Sequence, residues 1–267
     1  VVRYSRELVT QSGYDWSCVA GLGMGVAGFV DAKKGWLSMA PNLGMERVPL
    51  KQMLQERLKL PVQVDNDSNT AALGEVWAGA GIGRDHVVCY TLGTGVGGGI
   101  IVNGHIYQGC GFAGEFGHMQ VVPDLEAVQC RCGQTGCLET VSSASGISRM
   151  AREAVERGEH GALSLLENIT AKDVFDAARS GDDAALRIVR RAAYYLAKSM
   201  ALVSVVLHPQ RFIVGGGVSS AGAVLIEPLR EAFDEHVLPV FKGTIDIMPA
   251  ELGNDAGMIG AGLLVSQ

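Results

Sequence analysis

The chain of 267 residues lacks the features that mark membrane, secreted and nucleic-acid-binding proteins. No apolar run reaches the length of a membrane span without charges or glycine clusters, and Lys198 interrupts the best candidate. No positively charged and then apolar leader opens the sequence, so nothing implies secretion. The net charge of −6 gives no basic footprint for nucleic acid. We therefore expect a cytoplasmic protein, with no membrane partner and no nucleic acid bound by this segment.

What the sequence has in quantity is glycine, with 36 residues and no collagen-like period. Apolar segments of strand character alternate with segments of helical periodicity, which favours an α/β fold. The predicted strands are 19–30 (running into a turn), 61–64, 87–92, 100–107, 212–214 and the edge strand 244–248. The predicted helices are 1–11, 50–60, 70–79, 139–157, 171–180, 183–206, a helix that follows residue 219 and ends at about residue 237, and 255–265, the last rich in small residues that permit close packing.

Two glycine runs follow predicted strands. Residues 93–99 formally spell G-x-G-x-x-G, but this run opens a strand instead of a helix, which argues against a dinucleotide site. No Gly-Lys-Ser/Thr follows, so it is not a Walker loop either. We predict a glycine hairpin whose free N–H groups and Thr94 hydroxyl hold phosphate oxygens, with simple turn chemistry as the alternative. Residues 215–217 lie at a strand-to-helix junction, the usual setting for a nucleotide, although a purely structural turn fits the same pattern.

A polar cluster, residues 65–69, follows the strand 61–64 and leads into a helix. The carboxyl ends of strands feeding helices are where open α/β sheets bind ligands. The alternative is that Asp67, Ser68 or Asn69 only caps the helix. Two acids and two amides in five residues exceed what one cap needs, which favours a binding site.

Three cysteines form the pattern C-x-C-x4-C at Cys130, Cys132 and Cys137, with His118 upstream. Three thiolates and one imidazole make the tetrahedral shell that structural Zn²⁺ prefers. The alternatives are a redox pair, for which C-x-C is too tightly spaced, and buried apolar thiols. Glu115 and Glu139 flank the pattern, so we expect the metal loop to support a polar pocket.

These segments together resemble the bacterial ROK family (repressor, open reading frame, kinase), and within it most closely the kinases of glucose. The resemblance runs through nearly the whole chain and rests on residues 21–25, 42–43, 66–69, 92–99, 115–118, the cysteine loop with Glu139, 215–217 and 255–257. It implies an α/β, actin-like (ribonuclease H-like) two-domain ATPase fold with sugar and ATP in a central cleft. The small domain would comprise residues 1–68, completed by the C-terminal helix 255–267, and the large domain would comprise residues 69–254 with the zinc loop.

The resemblance also implies roles for individual residues. The ligands of a structural Zn²⁺ would be His118, Cys130, Cys132 and Cys137. The sugar contacts would be Asn42, Asn66, Asp67, Glu115, His118 and Glu139. The phosphate loop would comprise Gly93, Thr94, Gly95 and Gly97, and the adenosine side would comprise Gly215, Gly216 and Gly217.

The expected reaction is ATP-dependent phosphorylation of glucose at its 6-hydroxyl, with Mg²⁺ on the phosphates and Asp67 as the general base. The alternatives are a kinase for another hexose (N-acetylmannosamine, N-acetylglucosamine or fructose) and the sugar-sensing domain of a repressor of the same family. The resemblance further implies a homodimer. The family's first phosphate motif, Asp-x-Gly-x-Thr, is absent from the sequence, so we expect that the N-terminal part of the small domain is missing.

Overall fold

The computed structural model describes residues 1–40, 43–159 and 161–266. Within them, strands alternate with helices, as the periodicity predicts. The strands are β1 (Leu22–Val26), β2 (Phe29–Asp31), β3 (Trp36–Ala40), β4 (Met45–Val48), β5 (Val62–Asn66), β6 (Val87–Leu92), β7 (Val96–Val102), β8 (His105–Ile106), β9 (Arg211–Gly215) and β10 (Asp246–Pro249). The α-helices are α1 (Val2–Gln11), α2 (Leu50–Leu58), α3 (Asp67–Ala78), α4 (Glu139–Ser142), α5 (Ala144–Glu156), α6 (Ala171–Arg179), α7 (Asp183–Leu207), α8 (Ala223–His236) and α9 (Ala256–Leu263).

The strands form three sheets. The largest has the order β10-β9-β6-β7-β8, in which β10, β9 and β6 are parallel and β7 and β8 continue antiparallel. Strands β1 and β5 form a parallel pair, and β2, β3 and β4 form an antiparallel sheet. Strands β5, β6 and β9 each run into a polar or glycine-rich turn. Carboxyl ends of parallel strands are where such folds place their ligands.

The described residues form two hydrophobic cores of unequal size and a small third cluster, which joins α3 to the five-stranded sheet. The larger joins the five-stranded sheet to helices α5 to α8, and the smaller joins β1, β3 and β5 to α2. Helix α9 packs against α3 and β1. Its backbone lies so close to the backbone of α3 that a Cβ on Gly260 would overlap the carbonyl oxygen of Thr70. The predicted close packing by a helix of small residues is therefore confirmed.

Several details of the sequence prediction are wrong. The predicted strand 19–30 divides into β1 and β2, because the chain turns at residues 27–28, where Gly28 has a positive φ. Strands β3 and β4 were not predicted, because both expose residues along much of their length and lack a continuous apolar run. The predicted helix 139–157 is broken at Ser143, which is extended and whose hydroxyl accepts a hydrogen bond from Gly146 N, so that it caps α5. Strand β7 begins at Val96, within the predicted glycine hairpin.

None of the helices formed by residues 1–40, 43–159 and 161–266 has both the length and the apolar character needed to cross a bilayer.

Candidate functional site

The junction of β5 and α3 presents Asp67 at the start of a helix. Asn66 is the N-cap: its side-chain oxygen accepts from Ser68 N at 2.8 Å and from Asn69 N at 3.3 Å. Its side-chain nitrogen donates to Gly28 O at 3.0 Å. The cap is thus Asn66 and none of the three residues considered from the sequence. This leaves the Asp67 carboxylate exposed at a helix N-terminus, where the helix dipole favours negative charge.

The two glycine turns lie side by side. Residues 93–95 form a three-residue hairpin between β6 and β7, with Thr94 exposed at its tip. Gly216 has a positive φ of 85°, and a Cβ there would meet the backbone of Leu92 at 2.5–2.8 Å. Only glycine therefore allows the second turn to pack directly against the strand that leads into the first. Thr94 in the first turn and Gly216 and Gly217 in the second are exposed to solvent.

The remaining glycines of the first run serve packing. Gly97 to Gly99 lie within β7, and a Cβ on Gly97 would lie 2.6 Å from Thr91 Oγ1 and overlap Ser68 Oγ. A Cβ on Gly99 would lie 2.6 Å from Ala72 Cβ. By contrast, a Cβ on Gly93 would meet no atom of the described residues within 4 Å. The run of glycines that indicated a phosphate loop therefore has two parts: an open turn, and a strand that packs closely against α3.

A hydrogen bond joins the residue after Asp67 to the end of β6, next to the first glycine turn. Ser68 Oγ and Thr91 Oγ1 lie 2.7 Å apart, and both side chains are partly or fully shielded from solvent. Ser68 follows Asp67, and Thr91 precedes Gly93 by two residues. A carboxylate at a strand end and a glycine hairpin are therefore held next to each other by a fixed contact.

Glu115, His118 and Glu139 lie close to one another and to Asp67. Burial raises the pKa of the Glu115 carboxyl; the nearby His118 lowers it, and the negative charges of Asp67 and Glu139 raise it further. Glu139, at the start of α4, accepts a hydrogen bond from Val96 N at 3.1 Å through one carboxylate oxygen. These interactions bring three predicted sugar contacts together with Asp67. Asp67 is itself the fourth predicted contact. The fifth, Asn66, caps the helix that begins at Asp67, and the sixth, Asn42, lies outside the described residues.

The four predicted zinc ligands converge on one point. The ligand atoms of His118, Cys130, Cys132 and Cys137 all lie within 4.8 Å of one another. Cys132 Sγ is 3.7 Å from Cys137 Sγ, and Cys130 Sγ is 3.8 Å from His118 Nδ1. Zn–S bonds of about 2.3 Å in a tetrahedron place sulfurs about 3.8 Å apart, so the cluster fits Zn²⁺.

The three thiols of the cluster differ in acidity. Burial raises the pKa of Cys130, whereas at Cys132 the effect of burial is outweighed by hydrogen bonds, first from the backbone of Gln134, which lower its pKa. Burial, followed by hydrogen bonding and charge interactions with the other two thiols, raises the pKa of Cys137 to about 12. A metal that binds here must displace protons, as ligation by thiolates generally does. Cys130 Sγ also lies 3.8 Å from Glu139 Oε1, which connects the metal loop directly to the polar pocket.

Two side chains of this region were given no role from the sequence: Asp65, which was counted only as a member of the polar cluster, and Gln108. Asp65 is 2% exposed, and its oxygens accept hydrogen bonds from Asn66 N, from Asn69 and from Gln108. Gln108 lies in the loop that leads to Glu115. A carboxylate that follows the buried residues near the end of a strand is the signal that could have identified Asp65, whereas nothing in the sequence distinguishes Gln108.

Comparison with known proteins gives a consistent result. The chain is 47% identical over 256 residues to a glucokinase of Halalkalibacterium halodurans, covering 94% of this chain and 77% of the relative. Its fold matches the crystal structure of a ROK family glucokinase from Streptomyces griseus in complex with glucose and AMPPNP, with a TM-score of 0.84 and 38% identity over 98% of this chain and 86% of the other. It also matches a ROK family transcriptional regulator, a homologue of the E. coli MLC protein, with a TM-score of 0.90 and 28% identity over 99% of this chain and 67% of the other.

The actin-like α/β fold expected from the sequence is confirmed by these structures. The ROK family profile matches residues 6–267, nearly the whole chain. The chain belongs to the ROK family.

Proposed function

We propose that this protein is a glucokinase, which transfers the γ-phosphoryl group of ATP to the 6-hydroxyl of glucose. The observation that carries the proposal is the Ser68–Thr91 hydrogen bond, which holds the exposed Asp67 carboxylate beside an open glycine hairpin. The relatives support it, because the H. halodurans protein is a glucokinase at 47% identity and the S. griseus enzyme was crystallised with glucose and AMPPNP.

Asp67 is the proposed general base. Phosphoryl transfer needs little covalent help from the protein beyond positioning, charge neutralisation and an acceptor for the hydroxyl proton. Asp67 accepts that proton while the sugar oxygen forms its bond to the γ-phosphorus and the bond to the ADP oxygen breaks. Mg²⁺ bound with ATP would supply positive charge to the phosphates. The N–H groups and hydroxyl of residues 93–95 hold phosphate oxygens, and residues 215–217 receive the adenosine side.

Glu115, His118 and Glu139 are the proposed wall that recognises the sugar. Carboxylates accept charge-assisted hydrogen bonds, which distinguish one arrangement of hydroxyls from another more strongly than neutral groups do. A Zn²⁺ held by His118, Cys130, Cys132 and Cys137 would have a structural role, since four protein ligands would leave no position for water or substrate. His118 can bind the metal through one ring nitrogen and direct the other to the sugar.

Three wider features belong to the proposal. The chain divides into a small domain (residues 1–68, with the C-terminal helix) and a large one (69–254), which the two separate cores support. A cytoplasmic location suits an enzyme that consumes ATP and a free sugar. A homodimer is proposed from the family resemblance alone.

A panel of sugars tests the function. ADP release is measured with ATP and glucose, N-acetylmannosamine, N-acetylglucosamine or fructose, and the product of the glucose reaction is coupled to glucose-6-phosphate dehydrogenase. We expect the highest kcat/KM with glucose and a product that the dehydrogenase oxidises. A higher kcat/KM with another hexose would reassign the substrate.

A repressor's sugar-sensing domain is the second candidate, which the 0.90 TM-score to the MLC homologue favours. The same assay separates the two, because a sensor binds sugar without releasing ADP. The kinase is preferred, since the identity to the glucokinase is 47% against 28% to the regulator.

A further inference from the structure

Asp65 is a buried acceptor at the end of β5, two residues before the proposed base. Its Oδ1 accepts from Asn66 N at 2.7 Å and from Asn69 Nδ2 at 2.8 Å, and its Oδ2 accepts from Gln108 Nε2 at 2.6 Å. Burial raises the pKa of this carboxyl, while the hydrogen bonds from Asn69, Asn66 and Gln108 lower it. The three donors thus offset a desolvation cost that a buried carboxylate would otherwise impose on the fold.

Gln108 anchors the loop that leads to the sugar-binding wall. We call residues 107–113 the docking loop; it connects β8 to the turn that carries Glu115 and His118. The carbonyl oxygen of Gln108 accepts from Gly111 N at 2.7 Å and from Ala113 N at 3.2 Å, so this one residue organises the loop internally. Its side chain is the part that reaches Asp65.

Two further contacts hold the docking loop against the β2 region. The rings of Phe112 and Phe29 meet edge to face with centroids 5.9 Å apart. Lys33 Nζ donates to Gly109 O at 3.4 Å. Phe29 follows Gly28, whose carbonyl oxygen accepts from Asn66, so the docking loop and the helix cap are fixed to the same short segment.

We infer that Asp65 and Gln108 are a positioning pair, whose hydrogen bond sets the separation between Asp67 and Glu115 and so the seat of the sugar. The inference rests on the proposed function. Neither residue needs to touch the substrate. A carboxylate offers acceptors only, so it fixes its donors in direction as well as distance, which apolar packing in the same place does not. A displacement of about 1 Å between catalytic and binding groups is enough to reduce turnover markedly.

The test exchanges the partners of this hydrogen bond. Gln108→Glu places two carboxylates against each other and removes the donor. Asp65→Asn combined with Gln108→Glu restores it, because the introduced amide nitrogen replaces Oδ2 and can donate to the new carboxylate at position 108, while Oδ1 keeps its two donors. Asp65→Asn alone is expected to have a small effect, since the Gln108 amide can turn to accept. Gln52→Glu, an identical substitution at an exposed position of α2, is the matched control.

For each variant we measure kcat, the KM for glucose and for ATP, glucose affinity by calorimetry, and Tm. Gln108→Glu should raise the KM and Kd for glucose about tenfold while the KM for ATP stays within about twofold. The double variant should return to within about threefold of wild type. A double variant no better than Gln108→Glu, equal losses for both substrates, or an unaltered Gln108→Glu would each overturn the positioning role. A wild-type protein that neither phosphorylates nor binds glucose would instead overturn the proposed function, and this inference with it. If the wild type binds glucose without turnover, the glucose affinities of the variants measured by calorimetry test the positioning role.

Discussion

The two sides of the candidate site are held by different kinds of interaction. The base wall, residues 65–69, lies where a strand meets a 12-residue helix and is fixed by a cap and buried hydrogen bonds. The metal wall, residues 115–118 and 130–139, contains one short 3₁₀ turn and two isolated β-bridges that involve Cys137 and Gln129. The base wall can therefore form by folding alone, whereas we expect the metal wall to depend on its ion. Perturbing them should affect different kinetic constants.

The largest expected effect is on the base wall. Asp67→Asn removes the proton acceptor and keeps the shape of the side chain, so kcat should fall by about 10²–10⁴-fold. The KM for glucose, the zinc content and Tm should change little, because the cap is Asn66 and the side chain at position 67 is exposed. Steady-state kinetics with glucose and ATP measure this. An undiminished kcat would remove Asp67 from the mechanism.

Loss of the metal should act on binding instead. Cys132→Ser deletes one of four ligands, so we expect less than the one zinc per chain that elemental analysis should find in the wild type. Glucose affinity should fall by about 10–100-fold as Glu115, His118 and Glu139 lose their support. Cys18→Ser, at an exposed cysteine of the Trp16–Cys18 turn, is the matched control. A variant without zinc that binds glucose normally would show that the two walls do not differ in this way.

The sequence predicted the base wall less completely than the metal wall. The spacing C-x-C-x4-C is not a common zinc pattern, but it and the family resemblance together indicated four ligands, and the four ligand atoms do converge. At residues 65–69 the composition indicated a site. Which residue caps the helix and which carries the free carboxylate depends on φ and ψ at Asn66, which the sequence pattern does not encode. Strand order, and hence the approach of Gln108 to Asp65, is a property of the tertiary fold.

Residues 93–99 also show that the sequence does not encode contacts made by the tertiary fold. Sequence alone treats residues 93–99 as one turn, because every glycine relaxes the backbone in the same way. The structure separates them by what a side chain would meet: open space at Gly93 and the hydroxyls of Ser68 and Thr91 at Gly97. Packing partners distant in sequence make this difference.

A pair of alanine substitutions tests that separation. Gly97→Ala forces a methyl group between Ser68 and Thr91, the contact that joins the base wall to the hairpin, and should destabilise the protein by about 1–3 kcal/mol. Gly93→Ala should leave Tm unchanged and raise the KM for ATP, because it alters only the proposed phosphate loop. Thermal melts and ATP titrations measure both. Equal stabilities of the two variants would mean that β7 tolerates a side chain at Gly97.

The smallest expected effect is a pH dependence confined to the metal wall. Burial raises the pKa of Glu115, so this carboxyl takes up a proton at a higher pH than an ordinary glutamate as the solution is acidified. The neutral acid has lost its charge-assisted hydrogen bonds, and the KM for glucose should rise by about threefold as the pH falls through that raised pKa. Above it, with Glu115 ionised, the KM should be flat. Glu115→Gln should have a high KM at every pH and no such rise, and the KM for ATP serves as the internal control. A rise that persists in Glu115→Gln would assign the titration to another group and leave the metal wall without the electrostatic role that distinguishes it from the base wall.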